Sequence, residues 1–312
     1  MDIPKVSIIV LNWNGCDDTI ECLESLKKIT YPNYEVIVVD NASSGNDVSI
    51  LRERYSNYIQ LIVNDQNYGY PEGNNIGMRS ALANGADYLL LLNNDTVVDP
   101  QFVTELLKVA ETDHSIGILG SKLYHYYHPE VIQSAGGRII WWLGLIRDYG
   151  IDEHDVGQHN KVSERDYVWG TSFLIKRSVL DTISFMNTYF YFGIEEYDYC
   201  TRAKRAGYKI VYVPESKVWH KFGASRAKLS QFPETQRTIK KSRGAGKYKY
   251  YYHLFRTYCP PVLFILPLAM NIAMIGPFIV LIWRRDWKTM RIETKKKASA
   301  LFSLARKPRS HH

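Results

Sequence analysis

The sequence predicts an α/β domain with a doubly wound, mostly parallel sheet flanked by helices. Two observations carry this: apolar runs of strand length without polar alternation, and helix-period segments between them. "VSIIVL" (6–11), "YEVIVVD" (34–40), "IQLIVN" (59–64) and "YLLLLN" (88–93) read as strands covered on both faces, as parallel strands are. Residues 18–28, 47–55 and 75–83 read as the intervening helices, with right-handed crossovers. A third observation places ligands. "NWNG", "DNAS" and "NND" close the first, second and fourth strands, at the carboxyl ends where open α/β sheets bind small molecules.

Beyond "NND", Asp99-Pro100 reads as a helix start, and from about residue 120 the pattern loosens. "WGTSFLIKRSVL" (169–180) gives a glycine turn, a short strand and a helix start. "GIEEYDYCTRAKRAGYKIVYVP" (193–214) gives a helix with acids first and bases last, Gly207 as its stop, and a strand over 209–213.

The 312 residues are 46% hydrophobic, enough for one large domain with a smaller appendage. The net charge is +7, and Lys and Arg crowd the chain from Arg226 onward beside an apolar run, which favours a membrane surface over nucleic acid. The 4 cysteines, Cys16, Cys22, Cys200 and Cys259, form no CxxC pair, so neither a zinc ribbon nor a disulfide framework is expected and a reducing compartment is. "MDIPKVSIIVLNW" lacks a basic leader and a long apolar core, so no signal peptide is expected, and the terminal "RSHH" reads as a tag remnant.

No GxGxxG follows the first strand and no GxxxxGK[ST] occurs, which removes the common dinucleotide and P-loop readings. Asp40, Asn41 and Ser43, with Asn12 on the neighbouring strand, can bond a base or ribose; Asp40 and Ser43 read equally well as caps of the next helix. Asp95 follows a leucine run that fixes its backbone, which suits a ligand to a hard divalent cation such as Mn²⁺ or Mg²⁺. His220, just past the 209–213 strand, is a candidate second ligand. Glu195 and Glu196 point in different directions at a helix start, so one of them can face a reacting hydroxyl and accept its proton. With Asp198 they also read as acids complementing the helix dipole.

"SIIVLNWNG", "VIVVDNAS", "NDQNYGYPEGNNIGM", "YLLLLNNDTVVDP", "WGTSFLIKR", "YFGIEEYDYCTRAKRAGYKI" and "VWHKFGAS" run in this order over roughly the first 225 residues. In that order they resemble family 2 glycosyltransferases of the GT-A fold, in a branch similar to bacterial and archaeal rhamnosyltransferases. The resemblance implies that Asn12 and Asp40 contact the nucleotide base with Asn41 and Ser43 nearby, and that Asn67, Gly69 and Asn75 belong to a loop closing over ribose and diphosphate. It places "NND" at the family's Asp-x-Asp position, so that Asn94 and Asp95 lie at the donor, Asp95 and His220 hold the metal, and Asn93 departs from the stricter form. It makes Glu196 the general base, where the family has Asp, with Glu195 second and Asp198 third. Trp169 and Gly170 would flank the acceptor sugar.

The implied activity is inverting, metal-dependent transfer from a dTDP or UDP sugar, rhamnose being favoured, to a polyprenyl-diphosphate-linked or glycan acceptor. A non-catalytic sugar-nucleotide-binding scaffold and a sugar nucleotidyltransferase are the alternatives; the second lacks a Gly- and Lys-containing phosphate loop after the first strand. The expected organisation is a catalytic domain (1–225), a basic and aromatic connector (226–258) and a membrane-associated tail (259–312). Residues 260–283 carry no charge, and about 20 such residues can cross a bilayer. Pro267 and Gly276-Pro277 interrupt the run, and bases flank both ends, so a monotopic segment at the cytoplasmic face of the membrane is expected, against the alternative of a buried core hairpin.

Overall fold

The structure is a computed structural model that describes residues 3–221 and 247–259. The connector over 226–246 and the tail from residue 260, including the apolar run, lie outside the described residues. Among the described residues, no helix is long and apolar enough to cross a membrane. The described residues divide into two compact units, one of residues 3–138 with 148–221, the other of residues 139–147 with 247–259.

The first unit opens with β1 (Val6–Asn12), α1 (Cys16–Leu26), β2 (Tyr34–Asp40), α2 (Asp47–Tyr55), β3 (Ile59–Val63), α3 (Gly69–Ala83) and β4 (Tyr88–Asn93). The four strands are parallel in the order β4-β1-β2-β3, as their unbroken apolar character requires. One face packs Val6, Ile8, Val10, Leu90 and Leu92 against Leu23 and Leu26 of α1. Each fully buried leucine contributes about 1.5–3 kcal/mol. The other face receives α3 at close range: a Cβ on Gly77 would lie 2.5 Å from Ile9, and one on Gly73 2.6 Å from Leu11. The register sets Asn12 beside Asp40, and Leu11 beside Asn93, so the polar strand ends are level.

The chain continues through β5 (Thr96–Val98), α4 (Phe102–Ala110), β6 (Ile116–His125), β7 (His128–Ser134), β8 (Gly137–Ile140), β9 (Leu145–Asp148), β10 (Glu153–His154), β11 (Ser163–Arg165), β12 (Ser172–Lys176), α5 (Arg177–Ile183), α6 (Glu195–Arg205) and β13 (Lys209–His220). β12 inserts antiparallel between β4 and β6, and the sheet has eleven strands among the described residues. β13 runs parallel to β6 and also pairs with β5 and β11.

Three boundaries differ from the sequence expectation. The helix expected from residue 75 begins at Gly69, because Gly69 takes φ +82° as its entry and Pro71 fits a first turn, where its missing N–H costs nothing. The chain after Asp95 first forms β5, and α4 starts at Phe102; Asp99 precedes it, accepting the Gln101 amide at 2.8 Å. The strand expected over 209–213 continues past an irregularity between Val213 and Lys217 to His220, which therefore ends the strand.

Candidate functional site

β5 and the end of β13 are antiparallel, with His220 opposite Thr96, and the Lys221 amide bonds the Asp95 carbonyl at 2.9 Å. This pairing sets Asp95 Oδ1 3.0 Å from His220 Nε2, both side chains being buried. Gln133 on β7 fixes the ring: its Oε1 accepts from His220 Nδ1 at 2.7 Å, which leaves Nε2 turned to Asp95. Burial alone would raise the Asp95 pKa, but the charge and hydrogen bond of His220, its own backbone amide and Lys221 together hold the carboxyl below its ordinary range.

Donors about 2.1 Å from a cation in adjacent octahedral positions lie about 3 Å apart. The Asp95 and His220 atoms match that spacing, and one carboxylate with one imidazole is a donor set open to a divalent cation. No cluster of three or more His, Cys, Asp or Glu with metal-binding geometry occurs among the described residues, so the remaining positions would fall to other oxygens. Asn93, the departure from the stricter motif, points its amide at His220 Nε2 over 3.4 Å.

The residues expected at the base form a closed network beside this pair. Asn12 Nδ2 donates to Asp40 Oδ2 at 2.7 Å, Asp47 Oδ2 at 3.0 Å and Ser43 Oγ at 3.2 Å, and Thr19 donates to Asn12 Oδ1 at 2.8 Å. Asn12 and Asp40 are both fully buried. Asp40 and Ser43 do not cap α2, whose N-cap is Asn46; Asp40 instead accepts the Ser43 amide at 2.9 Å, stabilising a turn in which Ala42 holds φ +61°. That conformation costs an alanine roughly 1–2 kcal/mol and is maintained by the bonds on either side. Asn94 donates to Thr19 at 3.0 Å and Gly15 O at 3.4 Å, tying the strand end carrying Asp95 to the loop after β1.

Asn41 Nδ2 donates to Asn67 Oδ1 at 2.9 Å, and Asn67 Oδ1 also accepts the Gly69 amide at 2.8 Å. A Cβ on Gly69 would strike the Tyr191 ring at 2.7 Å, so this turn tolerates only glycine. Asn75 lies in α3, where it exchanges two 3.0 Å bonds with the Met186 backbone, a brace between α3 and the segment leading to Glu195.

The acidic pair divides its roles. Glu195 is buried and folds back to accept the Gly193 and Ile194 amides, the latter at 2.8 Å. Burial raises its pKa, and these amides only partly counter the rise. Glu196 is the less buried of the two. Asp198 binds Arg202 at 2.9 Å within α6, a helix-side role.

Sequence reading missed two residues besides Gln133. The Tyr70 hydroxyl donates to Gly170 O at 2.8 Å, and its pKa is pushed up first by burial, then by the negative charge of Glu195, Glu196 and Asp95. The one hydroxyl thus ties α3 to the expected acceptor turn. Asp148 accepts from Trp169 Nε1 at 2.8 Å and from Tyr167 at 2.7 Å, orienting the indole expected beside the acceptor. Tyr70 stands in a run of turn formers, and Asp148 in a short exposed strand; neither carries a local signal.

A sheet with parallel β4-β1-β2-β3 and an antiparallel β12, flanked by helices, defines the GT-A class. The profile of "Glycosyl transferase family 2" matches residues 7–184, more than half of the chain, and the chain belongs to that family. The low-salt glycan biosynthesis hexosyltransferase Agl10 of Haloferax volcanii is 27% identical over 210 residues, 67% of this chain and 64% of that protein. The chain spans 38% and 25% of two further relatives, from Haemophilus influenzae and Sinorhizobium fredii. Mannosyltransferase PcManGT from Pyrobaculum calidifontis, solved with GDP-Man and Mn²⁺, superposes with a TM-score of 0.55 at 17% identity over 97% of this chain and 88% of that one. GalNAc-T7, solved with UDP, GalNAc and Mn²⁺, gives 0.58 at 17% identity over 70% and 44%. At this identity the likeness is one of fold.

Proposed function

We propose that the chain is an inverting, metal-dependent glycosyltransferase that takes a sugar from a nucleoside diphosphate and passes it to a hydroxyl of a lipid-linked or glycan acceptor. The observation that carries this reading is the buried Asp95 and His220 pair, 3.0 Å apart at the carboxyl end of the parallel sheet, with the ring fixed by Gln133. Asp95 and His220 would hold Mn²⁺ or Mg²⁺, which when bound offsets the negative charge of a leaving diphosphate.

The chain's own residues do the rest. The Asn12, Asp40 and Ser43 network shapes the seat of the base, and the turn from Asn67 to Gly69 covers the ribose and diphosphate. Glu196 accepts the acceptor hydroxyl proton as that oxygen bonds the anomeric carbon; the bond from that carbon to the diphosphate oxygen breaks, and the nucleoside diphosphate leaves with its electron pair. Attack from the face opposite the leaving group inverts the configuration. Glu195 is committed to backbone amides, which supports Glu196 as the base. Trp169, oriented by Asp148, and Gly170, bonded by Tyr70, border the acceptor.

The resemblance of the sequence motifs to rhamnosyltransferases favours a dTDP or UDP donor with rhamnose as the sugar. The charge-free run 260–283 and its basic flanks favour a polyprenyl-diphosphate-linked acceptor met at the cytoplasmic face of a membrane. Calorimetric titration of dTDP, UDP and GDP, with and without Mn²⁺, into wild type and Asp95→Ala tests the donor reading. Metal-dependent binding of one nucleotide, lost in the variant, is expected; absence of binding under every condition would overturn the proposal.

A further inference from the structure

The second unit presents a feature that the donor and acceptor chemistry does not use. Residues 139–147, "IIWWLGLIR", turn through a 3-10 segment at Trp141–Leu143 and a left-handed Gly144 with φ 63°. Trp142 is 64% exposed and Leu145 41% exposed, a large apolar tip raised into solvent. Trp141 is turned the other way, with its ring 5.4 Å from Phe255 and 6.0 Å from Tyr258, both on α7 (Lys247–Tyr258). The tip is therefore fixed to the last turn of a helix that leads, one residue on, into the charge-free run 260–283.

Charge agrees with that position. Neither 139–147 nor 247–259 contains Asp or Glu, while Arg147, Lys249 and Arg256 supply positive charge, with both arginines exposed. An indole and a leucine projecting from a basic, aromatic-rich unit match the interfacial zone of an anionic bilayer, where tryptophan places its apolar body among acyl chains and its N–H at the headgroups. Each nearby Lys or Arg adds attraction to such a surface.

We infer that the 139–147 hairpin is a membrane-docking element whose Trp142 and Leu145 enter the headgroup and acyl boundary of an anionic bilayer. The inference rests on the membrane reading of the tail and assigns the contact to a second segment of the same unit. It gives the enzyme two attachments from distant parts of the chain, which restricts rotation on the surface more than one could.

Tryptophan fluorescence of the full chain tests this with phosphatidylglycerol-containing vesicles whose acyl chains carry bromine, a short-range quencher. Subtracting the Trp142→Phe spectrum from the wild-type spectrum isolates Trp142. Its emission is expected to shift to shorter wavelength on binding vesicles and to be quenched by the brominated lipid. Quenching of the remaining tryptophans, Trp283 and Trp287 among them, with no shift or quenching of Trp142, would overturn the hairpin inference while leaving the membrane reading of the tail intact. No quenching of any tryptophan would overturn both. A Trp142 signal already blue-shifted and shielded from iodide before vesicles are added would mean that the chain's own tail covers the hairpin, and this too would overturn the inference.

Discussion

The Asp95 carboxylate and the His220 imidazole meet at 3.0 Å because β5 and the end of β13 are paired, with Thr96 opposite His220. The two residues come from distant segments, and a third, Gln133 on β7, orients the ring between them. The turn between β4 and β5, the end of β13 and β7 thus converge on one candidate cation position, with Asp95 and His220 facing it and Gln133 behind the ring.

Gln133→Leu removes the partner of His220 Nδ1 without touching a proposed ligand. The fold should persist, because Gln133 Nε2 has no hydrogen-bond partner among the described residues and the substitution removes only the bond to His220. The Mn²⁺-dependent component of nucleotide binding is expected to weaken about 10- to 100-fold, as loss of such outer partners does elsewhere. Calorimetry at several Mn²⁺ concentrations measures it, and an unchanged metal dependence would show that the ring needs no anchor.

Glu195 and Glu196 separate by their response to removal of charge. Glu196→Gln is expected to lower turnover about 10²- to 10⁴-fold, the usual range for a general base. Glu195→Gln retains an oxygen for the Gly193 and Ile194 amides and should leave most activity. The pH dependence of stability distinguishes them further. The folded-state pKa of Glu195 is raised above 4.5 by burial, so the native state holds this proton more tightly than the unfolded chain. Wild type therefore loses stability as pH rises from the unfolded value through the folded one, and Glu195→Gln should abolish that loss. Thermal unfolding across pH and turnover at fixed pH give both answers; near-normal turnover in Glu196→Gln with none in Glu195→Gln would reverse the roles.

The parallel half of the fold was legible because strands buried on both faces must be apolar at nearly every position, as Leu89 to Leu92 are. The antiparallel half was not. β6 carries Gly120, whose Cβ would lie 2.4 Å from Val168, and a fully buried Lys122 paired with Asp155, features that break an apolar pattern for reasons visible only in three dimensions. The site divides in the same way. Asp95 and His220 are both expected from their places just past apolar strands, His220 also through the family resemblance, but Gln133 sits on a strand that begins exposed and polar, so nothing local marks it. Periodicity starts a helix at Asn75 while the family resemblance puts that residue in a loop; it lies inside α3, which Gly69 and Pro71 begin earlier.

Lys221 closes the strand that bears His220. Its ammonium meets Asp18 at 2.8 Å and also Glu21, both on α1, and lies 5.1 Å from the Tyr126 ring. Burial disfavours its charge, but the two carboxylates more than compensate and its pKa is raised. Lys221→Met leaves the Asp18 carboxylate, only 5% exposed, without this cation. A loss of roughly 3 kcal/mol in unfolding free energy is expected, as when one partner of a buried pair is removed. Urea unfolding measures it, and a change under about 0.5 kcal/mol, the scale of an ordinary surface substitution, would place the pair among exposed, weak contacts.

Tyr70→Phe tests whether the hydroxyl bonded to Gly170 O serves the reaction or only the fold. The ring stays against Phe192, 6.3 Å away in an edge geometry, so packing is conserved. The lost bond to Gly170 O should cost about 0.5–1.5 kcal/mol of stability. A purely structural hydroxyl would lower the melting temperature and leave the kinetic constants of the folded enzyme alone. The bond from Tyr70 to the proposed acceptor turn leads to a different expectation: KM for the acceptor rises while nucleotide affinity is unchanged, because the Gly170 turn loses its tie to α3 whereas Asp95, His220 and the Asn12 network keep theirs. Steady-state kinetics with varied acceptor, beside calorimetry with nucleotide and Mn²⁺, separates the two. Equal weakening of donor and acceptor binding would mean that Tyr70 supports the site as a whole and does not position the acceptor.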